Sequence, residues 1–390
     1  MLGAGLSEVD LRVDNAGQDV ESGAIDYLSG AFGRDGAQRG DTAVADADIP
    51  PADAVLVDDG GVPENEVESL QDFPGPGHPC SARRLRLRKP DAGCKPEASM
   101  DNGRIAEMTR RGVVAVRGLD APKFLNDLVT SDVPEAAGTA KFGALLSPQG
   151  KILFDFIVFR DGDGFLFDLP KAAVADFMKR MGFYRLRARV EIADLSPERE
   201  VIAAWGAAGA PIVDGPVAAD PRLAALGFRG IVPAGADMAA DYTEAAIAGY
   251  DAHRIALGVP EGGVDFAYGE SYPHDADMDQ LGGVDFAKGC YVGQEVVSRM
   301  QHRGTARRRF VMARGEAPLP AAGTPLIAGQ KSVGALGSSA GINVLALVRL
   351  DRAKEAIDAG VSITAEGVAL TLTLPDWAKF TWPTTVAGED

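Results

Sequence analysis

The segment Lys288-Gly289-Cys290-Tyr291-Val292-Gly293-Gln294-Glu295 places a thiol, an ammonium, an amide and a carboxylate within eight positions. Gly289 and Gly293 allow a sharp turn or a close backbone approach. The residues that follow, VVSRM, suit a helix, so the sequence predicts a turn that delivers Cys290 to a helix start. At such a position the backbone N–H groups and the Lys288 ammonium favour the thiolate over the thiol. A thiolate serves iron ligation, sulfur transfer and thiol exchange alike. Most free cysteines are small buried hydrophobes, but such a site does not need lysine, glutamine and glutamate as neighbours.

Other reactive residue types are less concentrated. Arg299, His302, Arg303, Arg307, Arg308 and Arg309 form a basic stretch that suits an anionic ligand tail or a phosphate backbone. His253, His274 and His302 are too scattered for a zinc site, and no Cys-x-x-Cys is present. Tyr184 and Arg187 precede or line a strand face from which an aromatic ring or an acidic tail is reachable. Asp132, in Thr130-Ser131-Asp132-Val133, reads equally well as a functional acid or as a turn residue after a helix.

The elements that must position these residues are legible in outline. RRGVVAVRG reads as a buried strand, followed by a helix over 121–129 capped by Asp120, with Pro122 in its first turn. KILFDFIVF and FLFDL read as strands joined at Asp161-Gly162-Asp163-Gly164. A helix is predicted over 171–181. LRARVEI alternates, with Leu186, Ala188, Val190 and Ile192 on one side. Thr243 is placed as the cap of a helix reaching Gly258. Beyond about 306, short strands separated by Gly and Pro predict an all-β unit.

Composition bounds the function. The chain has 390 residues, is 46% hydrophobic and carries a net charge of −17, which disfavours general nucleic-acid binding. No apolar run is long enough for a membrane span. Residues 1–99 hold 9 Lys/Arg against 19 Asp/Glu and are rich in Gly, Asp, Ala and Pro, so they are expected to be disordered. The basic run at 83–89 reads as a solvated stretch within that tail. A poor secretory signal and three widely spaced cysteines point to a cytoplasmic, reducing compartment.

KGCYVGQE resembles the signature octapeptide of the YgfZ branch of the glycine-cleavage T-protein (aminomethyltransferase) superfamily. The resemblance covers about residues 104–385. RIALGVPEGG at 254–263, PHDADMDQLGG at 273–283, SRMQHRGTARRR at 298–309, LNDLVTSDV at 125–133 and FGALLSPQGKILFDFIVF at 142–159 extend it. It implies an α+β fold, a ring of two α+β subdomains over 100–305 plus a C-terminal β-barrel over 306–390. It also implies a tetrahydrofolate-type ligand and a role in the assembly or repair of [4Fe–4S] enzymes, including tRNA-modifying ones. The implied partners are those client enzymes or assembly factors. The resemblance implies Cys290 as the key residue and Asp132 at the superfamily's catalytic aspartate. Lys288, Gly289, Tyr291, Gly293, Gln294, Glu295, Arg254, Tyr184 and Arg187 fall to ligand binding. Ala256 stands where the superfamily's ring-binding glutamate would be, which predicts weak folate binding. The alternative function is a tetrahydrofolate-dependent aminomethyltransferase. Since a lone cysteine cannot hold a cluster that needs about four ligands, any cluster bound here is shared.

A chain beginning at Met100 is expected to melt at the temperature of the full chain. Differential scanning calorimetry of the two tests this, and a large loss in the shorter chain would show that the first segment packs on the core.

Overall fold

The structure, a computed structural model, describes residues 102–207, 209–304 and 306–383. The expectation of a disordered tail over 1–99, with Cys80 and Cys94 in it, lies outside the described residues. Two five-stranded sheets and one closed barrel make up the fold.

The chain begins with β1 (Arg104–Glu107) and β2 (Arg111–Arg117), then α1 (Ala121–Asn126). β3 (Ala140–Leu146), β4 (Ile152–Asp161) and β5 (Gly164–Pro170) follow, then α2 (Val174–Arg185) and β6 (Glu191–Asp194). The first sheet has the order β3-β4-β5-β2-β6. Next come β7 (Arg199–Trp205), β8 (Val217–Ala219), β9 (Phe228–Pro233), β10 (Thr243–Glu244) and α3 (Ile247–Ala256). These strands and β1 form the second sheet, β10-β1-β7-β9-β8.

The apolar runs that read as strands in the sequence are central strands buried on both faces. In β4, Ile157 and Phe159 face the core between the two sheets. Phe156 and Val158 face the core beneath α1 and α2. β7 divides likewise, with Val201, Ala203 and Trp205 toward the first sheet and Ile202 and Ala204 toward a smaller outer core. Such strands lose the alternation of a half-exposed sheet because neither face meets water.

After α3 comes a long irregular passage, then α4 (Gln294–Arg303). β11 (Arg308–Gly315), β12 (Pro325–Ala328), β13 (Lys331–Ala340) and β14 (Asn343–Arg349) lead to α5 (Leu350–Asp358), β15 (Ile363–Ala365) and β16 (Val368–Thr373). The six strands close as β11-β14-β13-β12-β15-β16, so the expected α+β fold with a C-terminal barrel is what forms.

Local departures have physical causes. α1 ends at Asn126, and Asp120 makes no side-chain cap. Its carboxylate instead accepts the backbone N–H and the guanidinium of Arg189, which hold its pKa down to about 2. α2 runs on to Arg185, so the alternating 186–192 stretch keeps only its end as β6, and Leu186 is 88% exposed. Thr243 belongs to β10, and α3 starts four residues later.

A chain of buried charges links the parts. Arg111 on β2 donates to Asp168 of β5 at 2.6 Å, and Arg229 of β9 donates to the other oxygen of Asp168 at 2.8 Å. Arg254 of α3 donates to Asp251 and Asp265, and to Ser338 of β13 in the barrel. Glu261 joins the halves, with Arg110 at 2.6 Å, Arg254 at 3.3 Å and Arg111 at 3.5 Å. Burial alone would raise the Glu261 pKa, but these three guanidinium groups hold it well below the carboxylate range.

Removing one partner of a buried pair leaves the other charge uncompensated, at about 3–5 kcal/mol. Arg254→Ala is therefore expected to lower unfolding free energy by about that amount in urea titration. A change below about 1 kcal/mol would show that water rescues the carboxylates.

Candidate functional site

Cys290 is the one cysteine among the described residues, and it is exposed. Its neighbours on either side are anchored. Lys288 is half-buried, and its ammonium donates to the carbonyls of Asn126 (2.8 Å), Val129 (2.7 Å) and Ser131 (3.0 Å) behind α1. Tyr291 is buried in the core between the sheets, while Val292 leans on the core beneath the helices. The thiol is thus held at the surface by residues that face inward before and after it.

The approach to this loop is equally fixed. The Thr130 hydroxyl donates to the Gly283 carbonyl and accepts the Ala144 N–H of β3, while the Thr130 carbonyl accepts the Asp285 N–H. Asp285 folds the chain into a turn, its Oδ1 accepting the N–H groups of Ala287 and Lys288. Gly293 has φ +82°, and a Cβ there would lie 2.6 Å from the Ser147 carbonyl oxygen. Only glycine lets the loop pass so close to the β3–β4 turn.

The electrostatics differ from those expected of a cysteine at a helix start. α4 begins at Gln294, with Gly293 as its cap, so Cys290 lies three residues before the cap. The Lys288 ammonium is spent on carbonyls. Burial pulls its pKa down, against the pull of Asp132, Asp285 and Asp127. Burial and the nearby Asp285 carboxylate push the Tyr291 phenol up to about 12. Burial raises the Asp285 pKa, but its N–H donors, Asp132 and Lys288 bring it below the usual value. The lysine therefore positions the loop.

The structure brings Lys288, Asp132, Cys290 and Tyr291 into one neighbourhood, with Gly289 in open space beside the thiol. Gln294 opens α4, and exposed Glu295 pairs with Arg299 one turn on at 2.5 Å. Arg254 lies in the buried ion network instead, Tyr184 packs against the core beneath the helices, and Arg187 is exposed. Sequence reasoning missed Thr130 and Asp285. The second had a signal, since an aspartate two and three residues before its N–H donors is an Asx-turn pattern.

Beside the ion network lies a cleft of about 550 Å³. Leu153, Phe154 and Tyr268 form its apolar wall, and Arg110, Asp176, Arg180 and Glu261 are its charged groups. Behind it the Tyr268 hydroxyl donates to Asp155. Burial raises the Asp155 pKa despite nearby Arg111. Of the carboxylates at the cleft, Glu261 is taken by arginines and Asp155 by Tyr268, while exposed Asp176 lines it without an arginine partner. Ala256 does not share this cleft. It is exposed and lines a separate groove against the barrel with Met312 and Thr373. Ala256 and the Arg110–Glu261 pair therefore line different hollows, and in the ion network Glu261 and Arg254 are buried and Arg110 half-buried.

Family comparisons agree with this architecture. The model described as the GCVT N-terminal domain matches residues 96–240, and that of the CAF17 C-terminal beta-barrel domain matches residues 307–380. The iron-sulfur cluster assembly factor IBA57, mitochondrial, of Homo sapiens is 32% identical over 355 residues, covering 80% of this chain and 96% of the relative. A homolog from Mycosarcoma maydis is 34% identical over 226 residues, covering 53% of this chain. The chain spans 56% of that relative's length. Among solved structures, the glycine cleavage system aminomethyltransferase T of Bartonella henselae aligns with TM-score 0.56 at 16% identity, over 72% of this chain and 87% of that one, which shows the fold alone. These relatives bear the IBA57 description, and the resemblance holds at the level of the GCVT-like superfamily. One expectation is corrected: the relatives are described as mitochondrial, which overturns the cytoplasmic assignment.

Lys288→Met strips three carbonyls of a charged donor and is expected to cost about 2–4 kcal/mol in urea titration. Glu295→Ala is expected to leave the melting temperature unchanged, since its partner Arg299 is exposed. Equal effects of the two would show that Lys288 does not hold the loop.

Proposed function

The chain belongs to the IBA57 family of iron–sulfur cluster assembly factors within the GCVT-like superfamily, and from that membership we propose that it supports the assembly of iron–sulfur clusters on client enzymes by presenting Cys290 to a partner. The observation that carries this reading is the exposed thiol clamped between Lys288 and Tyr291. A clamped, exposed thiol serves docking chemistry, because its position does not depend on the partner. The cluster is cargo. With one cysteine on this side, the remaining ligands of about four come from the partner or the client.

On this reading the groups around Cys290 divide the work. Lys288, Thr130 and Asp285 fix the loop, Tyr291 and Gly293 seat it on the first sheet, and Asp132 supplies negative charge close to Lys288. Gln294 and Glu295 offer an amide and a carboxylate toward whatever approaches the thiol. The finer reading, that the clients include tRNA-modifying enzymes, follows from the octapeptide's resemblance to YgfZ. No step is assigned to folate, and no observation favours the aminomethyltransferase alternative.

In cells depleted of the endogenous family member, wild type is expected to restore the activity of [4Fe–4S] enzymes. Cys290→Ser is expected to fold with the same melting temperature and restore none. In the full chain, with Cys80 and Cys94 replaced by serine, iodoacetamide is expected to label Cys290 without denaturant. Full rescue by Cys290→Ser, with labelling only after unfolding, would sink the reading.

A further inference from the structure

The end of α2 carries a surface that the fold itself does not use. Between Phe177 and Val190 lie Lys179, Arg180, Arg185, Arg187 and Arg189, without one acid. Arg189 is held by Asp120. Lys179, Arg185 and Arg187 make no ion pair or hydrogen bond among the described residues, in a chain whose net charge is −17. Phe183 is 64% exposed, Leu186 88% and Leu119 80%. The three share one region, because the Asp120–Arg189 contact lays the 186–189 segment over the turn that carries Leu119, where a Cβ on Gly118 would lie 2.1 Å from the Arg189 carbonyl oxygen.

Leu186 is the telling residue. It has φ +44° and ψ −106°, a conformation that side chains with a Cβ rarely adopt. The strain turns a large aliphatic side chain into solvent, where it stabilises nothing in this chain. Strained backbone persists where the surroundings over-determine it, and it clusters at functional positions. Glycine at 186 would relieve the strain, so the leucine side chain has a use outside the fold.

We propose that Leu119, Phe183 and Leu186, framed by Arg185 and Arg187, form the docking surface for a protein partner that presents an apolar socket ringed by carboxylates. Exposed aliphatic and aromatic anchors within arginines match the make-up of protein interfaces, where a buried apolar centre carries affinity and charges set orientation. Nucleic acid fits less well, since two of the three apolar anchors are leucines, which do not stack on bases, and the chain as a whole repels phosphate. An anionic bilayer also fits less well, since the apolar stripe of α2, Val174, Phe177 and Met181, is already buried in the core. The proposal deepens the reading above, on which the partner is the assembly factor or client that meets Cys290.

The test uses the full chain with a photo-crosslinking benzoylphenylalanine at position 183, expressed in the depleted cells. A discrete protein adduct is expected, with contacts mapping to apolar residues flanked by Asp or Glu. Its yield is expected to fall about tenfold in Arg185→Glu/Arg187→Glu and to be retained in Arg185→Lys/Arg187→Lys. Leu186→Gly is expected to melt at the same or a higher temperature and to lose the adduct. The proposal is overturned if the adduct survives charge reversal, or if Leu186→Gly lowers the melting temperature. It is also overturned if phosphatidylglycerol vesicles or tRNA bind the wild type through these arginines while no protein adduct forms. Patch variants that restore [4Fe–4S] enzyme activity fully while Cys290→Ser does not would remove the docking surface and leave the functional reading standing. An arginine-dependent adduct in cells where Cys290→Ser rescues fully would leave the docking surface and remove the functional reading.

Discussion

Glu261 is the hinge pin of the molecule. It is 4% exposed, and three guanidinium groups reach it, from Arg110 and Arg111 at the start of β2 and from Arg254 on α3. Through Arg111 it is linked to Asp168 and Arg229, which tie the first sheet to the second. Through Arg254 it is linked to Asp265 and Ser338, which tie α3 to the barrel. Hydrophobic cores are tolerant of small shifts, whereas buried ion pairs are stable only in good geometry, because the desolvation of each charge must be met by close partners. The relative placement of sheets, helix and barrel therefore follows from a set of contacts that do not slide.

That network also decides what the interior can hold. A related fold with a free carboxylate at its centre offers an acceptor for the donors of a heterocycle. Here each central carboxylate already faces a cation or a phenol, and a ligand would have to displace a charge-assisted bond to reach one. The ion network thus has a structural task in the interior, and the function proposed above rests on the surface loop that carries Cys290. The loop depends on the interior in turn. Lys288 reaches carbonyls behind α1, whose position is set by the first sheet, and Gly293 touches the turn between β3 and β4.

The fold was legible where periodicity and turn chemistry agree. The hairpin at 161–164, the doubly buried β4 and the Gly- and Pro-punctuated barrel strands all read directly, since each follows from local sequence. The helix ends and the 186–192 stretch did not, because long-range partners decided them. Asp120 spends its carboxylate on Arg189, not on a cap, and the residues after Arg185 take the shape that contact imposes. Single acids within apolar strands, Asp155 in KILFDFIVF and Asp168 in FLFDL, were the visible sign of the ion network. Their partners, Arg111 and Arg229 at 57 and 61 positions from Asp168 and Tyr268 at 113 from Asp155, were not visible. The Cys290 motif was legible as a turn before a helix, but the carbonyl partners of Lys288 were not, because they lie about 160 positions away.

Lysine beside cysteine suggests acidification of the thiol, and the geometry gives Lys288 another task. An ammonium that donates to three carbonyls is a fastening, and its field is largely balanced by the oxygens it touches and by Asp132 and Asp285. Gly289 has open space around it, Cys290 stands in solvent, and Tyr291 re-enters the core. A thiol that relied on an internal cation would be tuned before any partner arrived. On the proposed function, a partner's surface completes the surroundings of one held in solvent beside carboxylates. On that proposal the loop keeps the thiol in place, and bond formation waits for the surface that docks.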